Sequence, residues 1–432
     1  MGSISMRNAC IALGILVAGV LAQDQCKPVG WATRTGRTGG AYNVTGGGNA
    51  APIVVTTFAD LLKYVQDDQP RVLHVSGTLG AGWSGTSGDR LIVKASNKTI
   101  IGISPRTVLK APILIKGVQN IIVRNLVING PGSNADQAWD NINIENAKNV
   151  WIDHCEFWDG QDGNADVIKG ADNVSFTWNI FGYKKNGTHN LSNLIASSDS
   201  EPVSVGKLNV TFMNNWWTGA AQRQPRCRYG YIHVVNNLYT KDGLQSDYGM
   251  AAGYECKILA ENNHFIGINT PISTDLKSTN SGNVAKGNLF EGTTGNQAGF
   301  GTAFTPPYEY ASIMVAASAV KAQVQKLAGA TLASPSACVP PPVGVAGRDV
   351  ADGAPALSLR GQFLIAEGFD DTEVEFLVQD VAGKVLERRR VLASNGSAEL
   401  ELQSRLAAPG VLLVTARGEG RDPLTARIQT VR

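Results

Sequence analysis

The sequence predicts an all-β protein in which a parallel β-helix, a solenoid of short strands, is followed by a small antiparallel β-sandwich. Three observations lead to this fold class. Glycine accounts for 48 of 432 residues and asparagine is also abundant, which indicates many turns. A strand-length pattern recurs from about residue 97 to 290, and the composition changes near residue 340. A repeat of this kind is typical of a solenoid.

The repeat consists of a polar residue, a short run of alternating apolar residues, and an asparagine followed by an apolar or aromatic residue. Its copies begin at Asn120, Asn149, Asn173, Asn209, Tyr231, Cys256 and Asn283. These positions advance by 29, 24, 36, 22, 25 and 27 residues, and the one long step indicates an inserted loop. An antiparallel sandwich would favour strand signals every 8 to 12 residues, roughly, so the spacing favours the β-helix.

The repeated asparagines suggest how the coils are joined. An asparagine at the corner of a coil can hydrogen-bond to the same corner of the coils above and below it. Its side-chain amide thereby pairs with backbone N–H and C=O groups of the turns that would otherwise have no hydrogen-bond partner. Beyond the repeats, Tyr310 to Leu327 lacks glycine and proline and has apolar residues at helical intervals, which predicts a helix.

The ends of the chain predict an exported protein with two domains. A short apolar run ends at Ala22 and is shorter than the ~20 residues that a membrane anchor needs, so we expect a signal peptide at 1–22. The β-helix domain is predicted at 23–338, a Pro- and Gly-containing linker at 339–352, and the β-sandwich at 353–432. No later segment is apolar and long enough to span a membrane.

Cysteine content fits an exported chain. One cysteine lies in the signal peptide, and an odd number remains after it: Cys26, Cys155, Cys227, Cys256 and Cys338. The mature protein can therefore have at most two disulfides and one free thiol, with the pairing left open.

The net charge of the chain argues against binding a polyanion through overall positive charge. The chain has 38 basic and 36 acidic side chains, a net charge of +2, so no nucleic-acid partner is expected. We expect a monomer.

Acidic residues cluster around one repeat. Asp140 and Asp166 are 26 residues apart, about one coil, and Asp162 shares a loop with Asp166. Clustered carboxylates repel one another unless a hard cation such as Ca²⁺ lies between them. Solvated turn residues are the alternative, and spacing alone does not separate the two.

A second cluster is basic. It contains Lys184, Lys185 and the segment from Arg223 to Arg228, which suits an anionic ligand such as a carboxylate, although a solvated edge has the same composition.

Several segments, taken together and in order, resemble the polysaccharide lyase family that contains the pectate lyases. They are Asp140–Glu145 with Trp151–Cys155, Asp162–Asp166, Asn193–Ser200 and Arg223–Arg228, within a likeness over about residues 26–335. The resemblance implies a right-handed parallel β-helix that acts on polygalacturonate, the acidic chain of pectin. The C-terminal part resembles β-sandwich sorting domains of exported bacterial enzymes.

Carried over by position, the resemblance makes Asp140, Asp162 and Asp166 ligands of Ca²⁺ and Arg223 the base of a β-elimination. It makes Lys185 and Arg228 the groups that bind substrate carboxylates. Two departures bear on calcium binding, because Ala138 stands where relatives often have an additional acid and Asp162 stands for a longer glutamate.

Three alternatives remain beside a secreted, calcium-dependent pectate lyase. A pectin lyase lacks such an acid cluster, and a polygalacturonate hydrolase on the same fold would use paired carboxylates without calcium. A non-catalytic β-helix would bind pectin through Lys185 and Arg228. We interpret His154 as structural, because neighbouring residues of a strand point to opposite faces and separate it from Asp153.

Overall fold

The computed structural model describes residues 27–80, 82–84, 86–133, 139–278 and 280–335, and in the C-terminal part 356–360, 363–367, 373–380, 384–393, 397–401, 410–418 and 424–430. The chain divides into two compact units, Met1–Gly344 and Val345–Arg432. The predicted signal peptide and linker lie outside the described residues, so the domain boundaries stay predictions.

The strands of the first unit are β1 (Pro52–Val55), β2 (Arg71–Val75), β3 (Thr78–Leu79), β4 (Leu91–Val93), β5 (Lys98–Gly102), β6 (Val108–Leu109), β7 (Ile113–Lys116), β8 (Gln119–Arg124), β9 (Val127–Asn129), β10 (Ile142–Glu145), β11 (Lys148–Asp153), β12 (Glu156–Trp158), β13 (Ala165–Ile168), β14 (Asp172–Thr177), β15 (Ile180–Gly182), β16 (Leu194–Ile195), β17 (Val210–Met213), β18 (Trp216–Thr218), β19 (Arg226–Cys227), β20 (Tyr231–Val235), β21 (Leu238–Thr240), β22 (Met250–Ala252), β23 (Lys257–Glu261), β24 (His264–Ile266), β25 (Ile272–Ser273), β26 (Gly282–Lys286) and β27 (Leu289–Glu291). Its α-helices are α1 (Phe58–Tyr64) and α2 (Ala317–Leu327).

These strands form three parallel sheets that run the length of a solenoid, which confirms the predicted parallel β-helix. Sheet 1 has the order β1-β2-β5-β8-β11-β14-β17-β20-β23-β26, sheet 2 the order β4-β7-β10-β13-β16-β19-β22-β25, and sheet 3 the order β3-β6-β9-β12-β15-β18-β21-β24-β27. Each full coil contributes one strand to each sheet, from sheet 2 to sheet 1 to sheet 3. The connections that lead from sheet 3 to β10 (130–141) and to β16 (183–193) are long, and so is the one from β16 to sheet 1 (196–209).

The corner asparagines stack as predicted. Along one corner, the side-chain oxygen of each asparagine accepts from the backbone N–H and side-chain amide of its neighbour in the preceding coil, at 2.8–3.0 Å. The ladder contains Asn179, Asn215, Asn237, Asn263 and Asn288. Other corner asparagines, such as Asn120 and Asn149, have positive φ, a conformation that asparagine tolerates.

Inside the coils, aromatic side chains form a second stack. Phe181 lies 5.5 Å from Phe157 and 5.4 Å from Trp217 between ring centroids, and the stack continues through Tyr239 and Phe265. These side chains are fully buried. Stacked coils therefore build one continuous hydrophobic core.

The predicted helix at Tyr310 to Leu327 is shorter than expected. The helix begins at Ala317, after a single 3-10 turn at Ala311–Ile313. Between them the backbone of Val315 bonds to side chains of the coils, donating to Asn236 and accepting from Asn236 and Asn262. These bonds replace helical ones and explain the late start.

A short helix, α1, has no counterpart in the sequence analysis. Its N-cap Thr57 accepts from the backbone of Asp60 at 3.1 Å, and it buries Leu61 at the first coils. With only seven residues, its apolar pattern is too short to distinguish from a strand.

The second unit has two antiparallel sheets, which confirms the predicted β-sandwich. Its strands are β28 (Ala356–Arg360), β29 (Phe363–Glu367), β30 (Glu373–Asp380), β31 (Val385–Leu392), β32 (Ser397–Glu401), β33 (Gly410–Gly418) and β34 (Leu424–Thr430), in the orders β28-β29-β32 and β31-β30-β33-β34. Leu364 and Leu400 of one sheet share a buried core with Phe376 and Val414 of the other.

The cysteines of the β-helix have two different states. Cys227 and Cys256 form a disulfide across neighbouring coils. Cys155 is a buried free thiol whose pKa burial raises to about 12, so it is inert. Cys26 and Cys338 lie outside the described residues.

No helix of the described residues is long and apolar enough to cross a membrane.

Candidate active site

A polar cleft lies on the outer face of sheet 2, beside the long connections from sheet 3. Its volume is about 280 Å³. It is lined by Arg90, Pro112, Ile113, Leu114, Trp139, Asp140, Asn143, Glu145, Asp162, Asp166, Ile168, Lys169, Leu194 and Ser197. All three predicted calcium ligands therefore line the same cleft.

Asp140 and Asp166 come from neighbouring coils. Asp140 lies two residues before β10, and Asp166 is on β13, in register with Asn143 of β10. Only 8% of Asp140 and 7% of Asp166 is exposed. The side-chain amide of Asn143 donates to Asp140 at 3.2 Å, and the backbone N–H of Leu194 donates to Asp166 at 2.9 Å.

The two carboxyl groups have raised pKa values. Burial is the main cause for both, and repulsion from neighbouring carboxylates adds to it. The pKa of Asp166 rises to about 7, and that of Asp140 lies well above its ordinary value. The pair therefore holds its second negative charge only at a free-energy cost.

Asp162 is more exposed than the other two, with 44% of its side chain accessible. Its Oδ1 lies 2.8 Å from Nε2 of His189, which the sequence analysis did not identify. The interaction joins the connection before β13 to the one before β16. A single histidine in a polar loop carries no sequence pattern that would reveal this contact.

The cleft suits a hard cation. Carboxylate and amide oxygens are the ligands that Ca²⁺ prefers, and Oδ1 of Asn143 is buried without a hydrogen-bond partner among the described residues. At Gly163 a Cβ atom would lie 2.6 Å from Oδ1 of Asp140, so glycine keeps that oxygen accessible. Within the described residues, however, no three acidic, histidine or cysteine side chains are close enough together to hold a metal by themselves. A cation here would need further oxygens from water or substrate.

The raised pKa of Asp166 predicts a pH-dependent stability. The folded-state pKa of Asp166, about 7, exceeds the ~3.9 of an aspartate in an unfolded chain. The contribution of this group to the free energy of unfolding is therefore fully present below pH ~3.9 and is lost as the pH rises through 7. We expect the metal-free protein to lose up to about 4 kcal/mol through this group between pH 4 and 8. Urea unfolding of wild type and Asp166→Asn at both pH values isolates the effect; equal pH dependence in the two proteins would contradict it.

Arg223 is in the connection between β18 and β19, next to the cleft. Its backbone has φ of 62°, and its carbonyl accepts from the N–H of Asn193 at 2.7 Å. Its side chain interacts electrostatically with both Asp140 and Asp166. Its Nε is buried and has no hydrogen-bond partner in the described part of the chain. The arginine is thus close to the carboxylates and retains free hydrogen-bonding capacity.

Arg228 differs from Arg223 because it is already bonded. Its Nη1 donates to the carbonyl of Ala196 at 2.9 Å, and its Nε pairs with Asp199. The guanidinium has five N–H donors, so part of it stays available to a ligand.

Lys185 is not in the lining of the cleft. It is exposed and lines a separate pocket of about 310 Å³ together with Asp159 and Gln161. The structure therefore groups the three acids and Arg223, and places Lys185 on the adjoining loop.

Two groups at the cleft escaped the sequence analysis. Glu145 is held between Lys116 at 3.1 Å and Lys169 at 2.9 Å, and Arg90 stacks on Trp139 with 3.9 Å between guanidinium and ring. The lysines lie 29 residues before and 24 residues after the glutamate, so only the coil register reveals the pairing.

His154 is structural, as predicted, but the reason given for it is wrong. It is fully buried, and its Nδ1 lies 2.7 Å from Oδ2 of Asp153. The left-handed backbone of His154, with φ of 49°, ends the strand and turns the ring back towards Asp153. The same carboxylate also accepts from Arg124 and Thr177, so the group is an internal network far from solvent.

Fold and cleft together define a parallel β-helix protein with an acidic cleft beside an arginine. A family model described as pectate lyase matches residues 5–332. Pectate lyase E of Dickeya chrysanthemi is 31% identical over 368 residues, which cover 72% of this chain and 92% of that protein. The pectate trisaccharide-lyase of Thermotoga maritima is 33% identical over 245 residues, which cover 55% of this chain and 64% of that protein.

A solved structure agrees on the fold. The crystal structure of a pectate lyase from Bacillus sp. N165 in complex with trigalacturonate has a TM-score of 0.59 and 23% sequence identity, over 70% of this chain and 98% of that one. The chain belongs to the pectate lyase family and is a polysaccharide lyase.

Proposed function

We propose that the protein is a secreted, calcium-dependent pectate lyase that cleaves polygalacturonate by β-elimination, with Arg223 as the base. The observation that carries the proposal is the pair of buried carboxyl groups, Asp140 and Asp166, in one cleft beside an arginine whose Nε has no hydrogen-bond partner among the described residues. An acidic polymer would meet both a cation and guanidinium groups at this place.

Asp140, Asp162 and Asp166 are the proposed ligands of Ca²⁺. Bound calcium would supply Lewis-acid stabilisation of the negative charge that develops on the substrate carboxylate during proton removal. The protein residues support this with all-oxygen donors and with the electrostatic cost of the carboxylate pair, which a divalent cation relieves.

Arg223 is the proposed base for the proton on carbon 5 of a galacturonate. As that proton moves to the guanidine, its electron pair forms the double bond to carbon 4, and the bond from carbon 4 to the glycosidic oxygen breaks. The leaving oxygen then takes a proton from solvent. Since a guanidinium is ordinarily always protonated, we expect turnover to need alkaline pH.

Lys185 and Arg228 are the proposed binding groups for substrate carboxylates. Arg228 has an orientation fixed by Ala196 and Asp199, which favours bidentate recognition by the part of its planar guanidinium that remains free. Lys185 is exposed on a neighbouring loop, where it can reach a sugar at the edge of the cleft as a mobile point charge.

A hydrolase of the same polymer is the second candidate. Two carboxyl groups in one cleft, Asp140 and Asp166, both with raised pKa values so that one of them keeps its proton, are what a hydrolase requires as general acid and partner. The two candidates differ in product, because hydrolysis creates no double bond.

An assay with and without a chelator separates them. We expect purified protein to release unsaturated, ultraviolet-absorbing products from polygalacturonate at alkaline pH, and excess chelator to reduce the rate at least about a hundredfold. Restoring calcium should restore the rate, and highly methyl-esterified pectin should be a poor substrate. New reducing ends without ultraviolet absorbance, or a rate indifferent to the chelator, would contradict the proposal.

A further inference from the structure

A third arginine, Arg226, lies on the same face of sheet 2 as the acidic residues. Arg226 of β19 pairs with Leu194 of β16, whose backbone N–H donates to Asp166 of β13. In-register side chains of parallel strands point to the same face. Arg226 is therefore two strands from Asp166, roughly 10 Å along the solenoid.

Arg226 differs from Arg228 in its side-chain hydrogen bonding. It is half-buried, and among the described residues its side chain has neither a hydrogen bond nor an ion pair, whereas Arg228 has both. Burial and the positive charge of Arg228 lower its pKa. A partly desolvated guanidinium without a partner is costly, and an anionic ligand would relieve that cost.

Tyr248 is a second unsatisfied group at the same place. Its hydroxyl is buried and has no hydrogen-bond partner in the described part of the chain, and it interacts electrostatically with Arg226 and Arg223. Tyr248 comes from the connection between β21 and β22, so it approaches from the coil beyond Arg226. Two donors from separate elements thus lie at one place, and neither has an acceptor within the described part of the chain.

We propose that Arg226 and Tyr248 form a carboxylate-binding subsite for a galacturonate unit displaced from the cleavage point towards β22. This inference rests on the proposed function, since it assigns a further unit of the same polymer to the same face of the protein. The guanidinium supplies charge and paired N–H donors, and the phenol supplies one O–H donor to the same carboxylate. The subsite makes the enzyme select a free carboxylate at that unit.

The test uses Arg226→Gln and Tyr248→Phe in the full-length protein, with Lys148→Gln on sheet 1 as a control that also removes one positive charge. Calorimetry with trigalacturonate, with calcium present throughout, gives the affinity, and initial rates on polygalacturonate give kcat and KM. We expect Arg226→Gln to raise Kd and KM about tenfold and Tyr248→Phe about threefold, with kcat changed less than about threefold. Arg226→Lys should recover part of the affinity.

A purely structural or indirect role gives different results. If Arg226 acted only through Arg223, kcat would fall and the pH profile would move while KM and Kd stayed constant, and the subsite would be wrong. Fully methyl-esterified trigalacturonate should show no loss of affinity between wild type and Arg226→Gln; an equal loss for acid and ester would also overturn the inference.

Circular dichroism and thermal unfolding show whether each variant is folded, and Arg226→Lys replaces Arg226→Gln if the latter is not. The experiment distinguishes failure of the proposed function from failure of the subsite. A wild type that binds trigalacturonate but does not cleave polygalacturonate contradicts the lyase, and the subsite is then tested by the ratio of the trigalacturonate affinities of wild type and Arg226→Gln. A wild type that does not bind trigalacturonate at all contradicts both.

Discussion

Replacing Arg223 by alanine should lower kcat on polygalacturonate about a thousandfold and leave the affinity for trigalacturonate within about threefold of wild type. The large effect follows from losing the only group assigned to proton removal, and general base catalysis is typically worth 10²–10⁴, roughly. Affinity should persist because the acids, Lys185 and Arg228 remain. The measurements are the initial rate of ultraviolet-absorbing product and calorimetry.

Arg71→Ala is the matched control for this variant. Arg71 is on β2 of sheet 1, and its guanidinium is paired with Asp67 at 2.6 Å. Its removal deletes the same charge from a different sheet, and we expect kcat to stay within about twofold, because this half-buried ion pair does not line the cleft. Should Arg223→Ala turn over at the wild-type rate, another residue must be the base.

The solenoid could be predicted from sequence because its corners demand particular residues. Each coil needs a residue that satisfies stacked backbone, and asparagine does so, so Asn179, Asn215 and Asn237 reveal a period of coils. Asparagines at other corners, such as Asn120 and Asn149, supply the positive φ that the turn needs. The single long step of the repeat, from Asn173 to Asn209, is accommodated in the two connections that flank β16.

The grouping of the acids could also be predicted, because residues that are one coil length apart in the sequence lie next to each other on adjacent coils. Asp140 and Asp166 are 26 residues apart and come from strands that pair. Sequence spacing does not predict that the two carboxyl groups are buried. Their burial comes from the packing of the connections around them, and it is the main reason that ionising them costs free energy. Because Asp140 and Asp166 are buried, the alternative that they are solvated turn residues does not describe them.

The arginines show where sequence reasoning stops. Arg223, Arg226 and Arg228 are nearly adjacent and look equivalent, yet Arg228 is bonded to Asp199 from a different coil and Arg226 is not bonded to any described residue. The difference depends on a loop 29 residues earlier in the chain. No local pattern encodes which of several neighbouring arginines has a partner.

Replacing Asp166 by asparagine should have opposite effects on stability and function. Asparagine keeps an oxygen that accepts the N–H of Leu194 but removes one charge from the buried pair. At pH 8 without calcium we expect the variant to be about 1–3 kcal/mol more stable than wild type, because Asp140 no longer faces a second carboxylate. With calcium the order should reverse, because wild type gains binding energy that the variant lacks.

Asp172→Asn provides a control that is matched in burial. Asp172 is buried on β14 of sheet 1, its pKa is also raised by burial, and its Oδ1 accepts from Asn209 at 2.7 and 3.0 Å. It is outside the cleft, so the Asp172→Asn protein should retain the full calcium-induced rise in Tm and the calcium-dependent activity. Loss of the calcium response in Asp172→Asn would indicate a general effect of removing a buried acid.

The decisive quantity is the difference in Tm with and without calcium, measured at pH 8 for wild type and both variants. We expect a clear rise for wild type and Asp172→Asn, none for Asp166→Asn, and at least about a hundredfold lower activity for Asp166→Asn. Equal calcium-induced rises in all three proteins would mean that Asp166 is no ligand. The raised pKa of the pair would then favour the hydrolase, in which Asp166 acts as a proton donor and needs no cation.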